Sequence, residues 1–380
     1  MHEFRLPGVI HFGCGAVEKL GDEAARLGRR ALLVTGRSSM KRTGIADRVR
    51  KLLSDSRVDA LLFDQVEGDP SGTTIDRGAQ LAREEGCDLV IGLGGGSPMD
   101  AARAIAAMAI LEGSIIDYVR GKPIELSSLP LINIATTAGT ASEITPVSVV
   151  LDEERQLKVG IKSASWFARV AITDPDLTMT MPPELTAATG LDALTHAVES
   201  YLSTGATPPS ESLALRSIAL IGSNLRTAVA DGNNRPARKA MAMASMVAGM
   251  AFANSSLGLV HGLVHPIGAR FSVPHGIACG RLLASVLRFN TTAVPDKIAL
   301  VGAALTGKSV EKPEEAISAV EVLVREVGVP LGIGDLHITD AQMPVLAKDG
   351  LVSGSVKTNP RPVSEDDARA VLEDARKERI

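Results

Sequence analysis

Two stretches in the second half of the chain place groups able to bind a metal or move a proton one helical turn apart. Asp192-Ala-Leu-Thr-His196 sets a carboxylate and an imidazole on one helix face, and His261-Gly-Leu-Val-His265 does the same with two imidazoles. His275 follows in Phe271-Ser-Val-Pro-His-Gly276, a Pro- and Gly-bracketed loop that could fold back toward them. Of seven histidines in the sequence, four lie between residues 196 and 275. A single histidine on an apolar face is ordinary core material, but several converging on weakly charged helices need hydrogen bonds or an ion. One Asp with three His suits a borderline cation such as Fe²⁺ or Zn²⁺, not oxygen-seeking Mg²⁺ or Ca²⁺. The pattern is not H-E-x-x-H, so a zinc peptidase is not indicated.

The first half carries a different chemistry. Gly92-Leu-Gly-Gly-Gly-Ser-Pro-Met-Asp100 closes an apolar run that begins at Leu89 and opens a helical pattern from Met99. Consecutive glycines let backbone approach a ligand, and a helix N-terminus offers free N–H groups to an anion. Ser97 stands where a G-x-G-x-x-G motif would have its last glycine, so the alternative is a tight turn with no ligand. A second loop, Thr136-Thr-Ala-Gly-Thr-Ala-Ser-Glu143, follows another apolar run and surrounds one glycine with small hydroxyls. It reads either as a second phosphate loop or as the cap of a following helix. Two such loops on strand ends favour a nucleotide pyrophosphate. At the end of the first long run, Gly36-Arg37-Ser38-Ser39 offers no carboxylate to a ribose 2′-hydroxyl. NADP is therefore permitted and mildly favoured over NAD, with Arg37 and Ser39 as candidate holders of a 2′-phosphate.

These groups need a scaffold, and the sequence describes one. Apolar, β-branched runs at 31–35, 60–63, 89–93, 131–135 and 170–173 read as buried strands, with helical patterns at 44–54, 74–86 and 99–111 between them. Strands alternating with helices imply a largely parallel sheet covered on both faces. After Asp174-Pro175-Asp176 the texture turns helical, opening at Pro182-Pro183-Glu184. An α/β nucleotide-binding domain is expected over 1–180 and an all-helical metal-binding and catalytic domain over 181–380. The stretch 364–377 reads as a charged, solvated helix.

Composition narrows the function. At roughly 150 residues per domain, 380 residues allow one or two sizeable cores. Net charge is −4, from 40 basic and 44 acidic residues, which disfavours nucleic acid and leaves no polybasic patch for a membrane surface. Three distant cysteines, Cys14, Cys87 and Cys279, with no C-x-x-C pair, disfavour a disulfide scaffold and a thiolate zinc site and fit a reducing compartment. The opening MHEFRLPGVIHFG has no apolar stretch long enough for a signal peptide, so a cytoplasmic protein is expected. Residues 240–269 lack Asp, Glu, Lys and Arg, which is long enough to span a bilayer. Two histidines within them make a buried core helix, running into a polar site, the better reading.

Together these pieces resemble the iron-containing, or group III, alcohol dehydrogenase family. The resemblance rests on GGGSPMD (94–100), TTAGTASE (136–143), ATGLDALTHAVESY (188–201), GLVHGLVHPIGARFSVPHG (258–276) and TNPRPVSEDD (358–367), in family order across nearly the whole chain. It implies the two-domain architecture of dehydroquinate synthase and glycerol dehydrogenase, and a homo-oligomer. It also implies that Asp192, His196, His261 and His275 bind Fe²⁺ or Zn²⁺, while His265 lies near the reacting carbon. Gly95, Gly96, Ser97 and Asp100 match the pyrophosphate loop, and Thr136, Thr137 and Thr140 the second loop. Asp69 matches a position on the adenosine side, and Lys158 one that reaches the nicotinamide ribose. Gly36 falls where NAD-preferring members commonly carry Asp, and Arg103 replaces a more usual Lys and is expected only to preserve charge.

The implied reaction is hydride transfer between a nicotinamide and a small primary alcohol or aldehyde, with the metal as Lewis acid. His265 would relay the proton, or else pack behind the ligands. Leu191, Leu194, Phe252, Leu257, Leu259, Val260 and Leu263 are read as an apolar pocket, with Arg270 the only nearby base. That lining argues against a dehydroquinate synthase-like lyase and a maleylacetate reductase, whose anionic substrates need cations. The same motifs would also suit a glycerol dehydrogenase-like polyol oxidoreductase, or a nucleotide sensor that has lost its chemistry.

Overall fold

The computed structural model describes residues 3–124, 128–155 and 157–377. Its strands are β1 (Val9–Phe12), β2 (Arg30–Gly36), β3 (Asp59–Val66), β4 (Leu89–Gly94), β5 (Leu131–Ala135), β6 (Val147–Asp152), β7 (Leu157–Lys162) and β8 (Val170–Thr173). Among them run helices α1 (Leu20–Leu27), α2 (Ser39–Arg42), α3 (Ile45–Asp55), α4 (Gly72–Glu84), α5 (Gly96–Met108) and α6 (Ile115–Val119). Six strands form one parallel sheet in the order β1-β8-β5-β4-β2-β3. Alternate side chains of the central strands enter opposite cores, as a strand's period of two requires. Leu32, Val34 and Val90 pack on one face with Ile75 and Ile105, and Ala31, Leu33, Leu89 and Ile91 on the other with Leu20 and Val49. Burial on both faces is why these strands read as continuous apolar runs.

The chain passes from β2 out to β3, then returns to β4 on the other side of β2. The sheet order thus reverses between β2 and β4, and ligands of open parallel sheets bind beyond the carboxyl ends at such a point. Gly36 ends β2 there, and the glycine loop follows β4.

The five expected strands and three expected helices are present. Two features do not show in the sequence pattern. β1 is a four-residue edge strand, half exposed and carrying His11, so it offers no apolar run. β6 and β7 form an antiparallel hairpin, separate from the sheet, in which β6 alternates half-buried and buried residues. A search for continuous apolar runs passes over such alternation.

By its internal packing the chain divides into two units: Leu6–Thr137 with Ala141–Thr180, and Met181 onward with Ala138–Thr140 and the N-terminal residues. The second unit holds α7 (Pro183–Leu202), α8 (Pro208–Ala230), α9 (Arg235–Ser255), α10 (Leu259–Phe271), α11 (His275–Asn290), α12 (Pro295–Thr306), α13 (Pro313–Glu326), α14 (Met343–Gly350) and α15 (Glu365–Lys377). Pro183 occupies the first helical turn of α7, where a missing N–H costs nothing. From Gly190 to Leu202 every α7 residue is buried, in a core of Ala, Val, Leu, Ile and Met.

The uncharged stretch 240–269 is not one helix. It breaks at Ser256, whose φ of 67° no α-helix accepts, and α9 and α10 meet at a 108° bend. Among the described residues no single helix is long and apolar enough to cross a membrane.

Candidate metal centre

The break between α9 and α10 decides where the histidines go. It starts a new helix at Leu259, so His261 sits in the first turn of α10 rather than deep in a long helix. Asp192 and His196 share one face of α7, and His275 is the first residue of α11. Gly276 allows α11 to meet α7: a Cβ there would lie 2.0 Å from the Ala188 carbonyl oxygen and 3.1 Å from the Asp192 Cβ.

Asp192 Oδ1 is the hub. It lies 3.7 Å from His261 Nε2, 3.6 Å from His275 Nε2, 3.7 Å from His196 Nδ1 and 3.7 Å from Cys279 Sγ. Asp192, His261, His275 and Cys279 can each offer one ligand atom such that all lie within 4.8 Å of one another. Donors bound tetrahedrally at about 2.0–2.1 Å from one ion stand about 3.3–3.4 Å apart. The distances from Asp192 Oδ1 exceed that by only a few tenths of an ångström and every pair in the group lies within 4.8 Å, so these residues can close on a divalent cation by small side-chain movements. Asp192 and His261 are buried, whereas the His275 side chain is 38% exposed, so the group opens past His275. An open side is what distinguishes a reactive metal site from a structural one.

His196 is placed differently from the other three expected ligands. Its ring stacks on Phe252 at 4.4 Å and on His261 at 4.5 Å, and it touches the group through Asp192. Its Nδ1 is buried with no hydrogen-bond partner. Burial pushes this imidazole down to about 3, leaving it neutral with a free lone pair. For Asp192, burial pushes the carboxyl up, but the surrounding imidazoles outweigh it and hold the group below the usual carboxylate range. His265 stacks on His275 with ring centres 5.5 Å apart, outside the donor group.

Three contributors were not read from the sequence. Glu199, one turn beyond His196 on α7, puts Oε2 2.6 Å from His261 Nδ1 and accepts the Val260 N–H at 2.6 Å through Oε1. It caps α10 and holds the proton of His261 on Nδ1, turning Nε2 toward Asp192. Asn359, within the late TNPRP motif, accepts the Leu259 N–H and donates to Asn290 Oδ1. Cys279 is the third, and its signal was present: it lies four residues after His275 on α11.

The expected apolar pocket is largely corrected. Leu191, Leu194, Leu259, Val260 and Leu263 are fully buried in the helical core, and only Phe252 and Leu257 are partly exposed. Arg270 pairs with Asp349.

In the α/β unit, the glycine loop turns at Gly94, whose φ of +149° favours glycine, and Gly95 precedes the first turn of α5. Gly96 and Ser97 open that helix, and Ser97 Oγ donates to the Gly68 carbonyl. Thr136 N–H donates to Gly94 O at 2.9 Å, and Thr137 borders Gly95, so the two loops lie side by side. No helix follows the second loop, so it is not a helix cap. Thr140 belongs with the helical unit. Asp69 and Lys158, expected to reach different parts of a dinucleotide, pair with each other at 2.8 Å. Gly36 has room for a side chain, its nearest neighbours being Pro98 and the Val66 carbonyl at 3.7 Å. Arg37 faces Glu67 at 3.7 Å, which partly neutralises the cation offered to a 2′-phosphate.

Asp100 turns inward instead of toward a ligand. Its carboxylate accepts from Arg103, Ser142 and the Val149 N–H. Arg103 does more than preserve charge: fully buried, it also donates to the Ser142 and Val147 carbonyls, tying the second loop and β6 to α5. A lysine lacks the fork for this. Glu143, at the end of that loop, is buried and accepts from Thr173 at 3.0 Å.

Burial raises Glu143 to about 7, against an ordinary 4.5. The folded chain thus holds a proton that the unfolded chain releases. This contribution is complete below about pH 4.5 and is lost as pH rises through 7, on the order of 3 kcal/mol. Glu143→Gln should flatten the fall in Tm between about pH 5 and about pH 8. An unchanged slope would assign that fall to other groups.

A buried carboxylate–imidazole cluster in a helical unit, in one chain with a parallel sheet whose switch point carries two small-residue loops, is the framework of a metal- and nucleotide-binding enzyme. The sequence profile of iron-containing alcohol dehydrogenases matches residues 7–175, and that of the C-terminal part of the Fe-containing alcohol dehydrogenase family matches residues 186–376. The chain belongs to the iron-containing alcohol dehydrogenase family. It is 38% identical over 382 residues to 1,3-propanediol dehydrogenase of Klebsiella pneumoniae, covering 99% of either chain. NAD-dependent methanol dehydrogenase of Bacillus methanolicus is 34% identical over 99% of this chain and 100% of its own. The solved alcohol dehydrogenase from Oenococcus oeni superposes with a TM-score of 0.94 at 33% identity, over 99% of this chain and 100% of its own.

Proposed function

We propose that the chain interconverts small primary alcohols and aldehydes, with a divalent ion held by Asp192, His196, His261 and His275 and a nicotinamide dinucleotide on the glycine loop. The observation that carries this reading is the set of donors 3.6–3.7 Å from Asp192 Oδ1, buried on all sides but that of His275. A divalent ion there supplies Lewis-acid polarisation of the alcohol or carbonyl oxygen. Glu199 keeps His261 in the tautomer that presents Nε2. His265, stacked on His275, passes the substrate proton to solvent in this reading, which its position one turn after His261 supports. Hydride transfer needs the nicotinamide C4 within about 3.5 Å of the reacting carbon. Gly95, Gly96 and Ser97 hold the pyrophosphate with backbone N–H groups, and Thr136, Thr137 and Thr140 line the second loop. With no carboxylate at Gly36 and Arg37 shared with Glu67, the ribose end accepts both NAD and NADP. Phe252 and Leu257 favour a small, weakly polar substrate. Arg270, engaged by Asp349, leaves little to grip the polyanion a dehydroquinate synthase-like lyase would bind.

The test is aldehyde reduction with NADH and with NADPH, before and after chelation. Activity should fall at least about a hundredfold on metal removal and return with Fe²⁺ or Zn²⁺. Indifference to chelation, with no metal by elemental analysis, would overturn the metal role.

A further inference from the structure

Residues 138–140 of the second loop pack with the helical unit, while Thr137 and Ala141 on either side pack with the α/β unit. The contact is to α7: a Cβ on Gly139 would lie 2.7 Å from both the Thr189 Cβ and the Thr189 carbonyl oxygen, and 2.8 Å from the Thr189 Cα. Gly139 is not among the glycines with positive φ, so close approach, and not backbone conformation, demands a glycine here. Thr189, Asp192 and His196 follow one face of α7. The His196 ring donates a hydrogen bond to the Gly139 carbonyl. His196 Nδ1 has no hydrogen-bond partner and lies 3.7 Å from Asp192 Oδ1, so Nε2 makes this bond.

We propose that the Gly139 carbonyl positions His196: it holds the ring proton on Nε2 and so keeps the Nδ1 lone pair turned to the ion, the missing side chain of Gly139 setting the distance. This rests on the metal reading given under Proposed function. Stacking on Phe252 and His261, at 17° and 20° between planes, fixes the plane of the ring but not its rotation within that plane. A neutral imidazole carries one N–H, and the hydrogen bond made by one nitrogen decides which nitrogen is left for a metal. Without an acceptor opposite Nε2, the proton is free to move to Nδ1, which then has no lone pair to give. Glu199 does for His261 with a carboxylate what the loop does for His196 with a backbone carbonyl. Gly139 acts through His196 and is therefore a positioning residue, supplied by the stretch whose sequence pattern points to a nucleotide.

The experiment is Zn²⁺ titration of the metal-free full chain, wild type against Gly139→Ala, with ¹⁵N-histidine spectra of the Zn²⁺ form. The added methyl forces the loop and its carbonyl away from α7, so Zn²⁺ affinity should fall about 10–100-fold. In wild type the His196 ring should show one metal-bound nitrogen and one N–H that exchanges slowly with solvent. In Gly139→Ala that N–H should exchange faster. A packing role alone would lower the Tm of the metal-free variant and leave its Zn²⁺ affinity at the wild-type value, and that result overturns the proposal. Wild type that binds Zn²⁺ while the His196 ring N–H exchanges freely overturns it too, even where Gly139→Ala folds poorly, and leaves the metal reading standing. Failure of wild type to bind Zn²⁺ at all overturns both.

Discussion

Asp192→Asn is expected to leave a folded chain that holds no metal and turns over at least about a thousandfold more slowly. Asparagine matches the volume of aspartate, so α7 keeps its packing against α11. What disappears is the one carboxylate oxygen shared by every donor, each 3.6 or 3.7 Å away. No other carboxylate belongs to the donor group among the described residues. Glu199 is next nearest in role, but both its oxygens are committed to His261 and Val260. An amide cannot replace the charge that draws a cation into a site where Asp192 and His261 are buried. Lewis-acid stabilisation amounts to several kcal/mol, and each 1.4 kcal/mol is a factor of ten in rate. Elemental analysis, turnover and far-ultraviolet circular dichroism together check this. Full metal occupancy at wild-type turnover would show that Asp192 is not a ligand.

How much of this was legible in the sequence depends on the range of the interaction. Strands β2 to β5 and β8 were readable because burial on both faces writes itself into consecutive residues. The pairs Asp192/His196 and His261/His265 were readable because a helix puts four-apart residues on one face. The same spacing joins His275 to Cys279, but a thiol weighed only against C-x-x-C spacing is passed over. Glu199 could not be found this way: its partner His261 lies 62 residues on, and they meet only because the chain breaks at Ser256 and restarts at Leu259. Leu191 and Leu263 lie in the core and not in a pocket for a related reason. Adjacency to a ligand does not say which way a neighbouring side chain points, and these point into the helical core. Asp100 shows the converse, since a carboxylate in a ligand-binding motif is here the partner of a buried arginine.

Glu199→Gln should weaken metal binding by about 10–100-fold, although Glu199 touches no ion. The reason lies in its two oxygens. One accepts the Val260 N–H and the other faces His261 Nδ1, both at 2.6 Å. Glutamine has one acceptor and one donor group, so either Val260 or the Nδ1–H of His261 must meet an NH₂. In the first case the start of α10 loses its cap; in the second the imidazole shifts its proton to Nε2, the atom that should face the ion. Both outcomes misplace a donor, and the lost carboxylate charge also lowers the basicity of His261. Through linkage, the rise in stability on adding a fixed excess of Zn²⁺ should shrink by about 1.4–2.7 kcal/mol relative to wild type. A lost cap alone costs about 0.5–2 kcal/mol in the metal-free chain and leaves that rise unchanged. Comparing Tm with and without Zn²⁺ in both proteins therefore separates the two roles: an equal loss in both states makes Glu199 a helix cap only, and a larger loss with the metal present makes it the residue that positions His261.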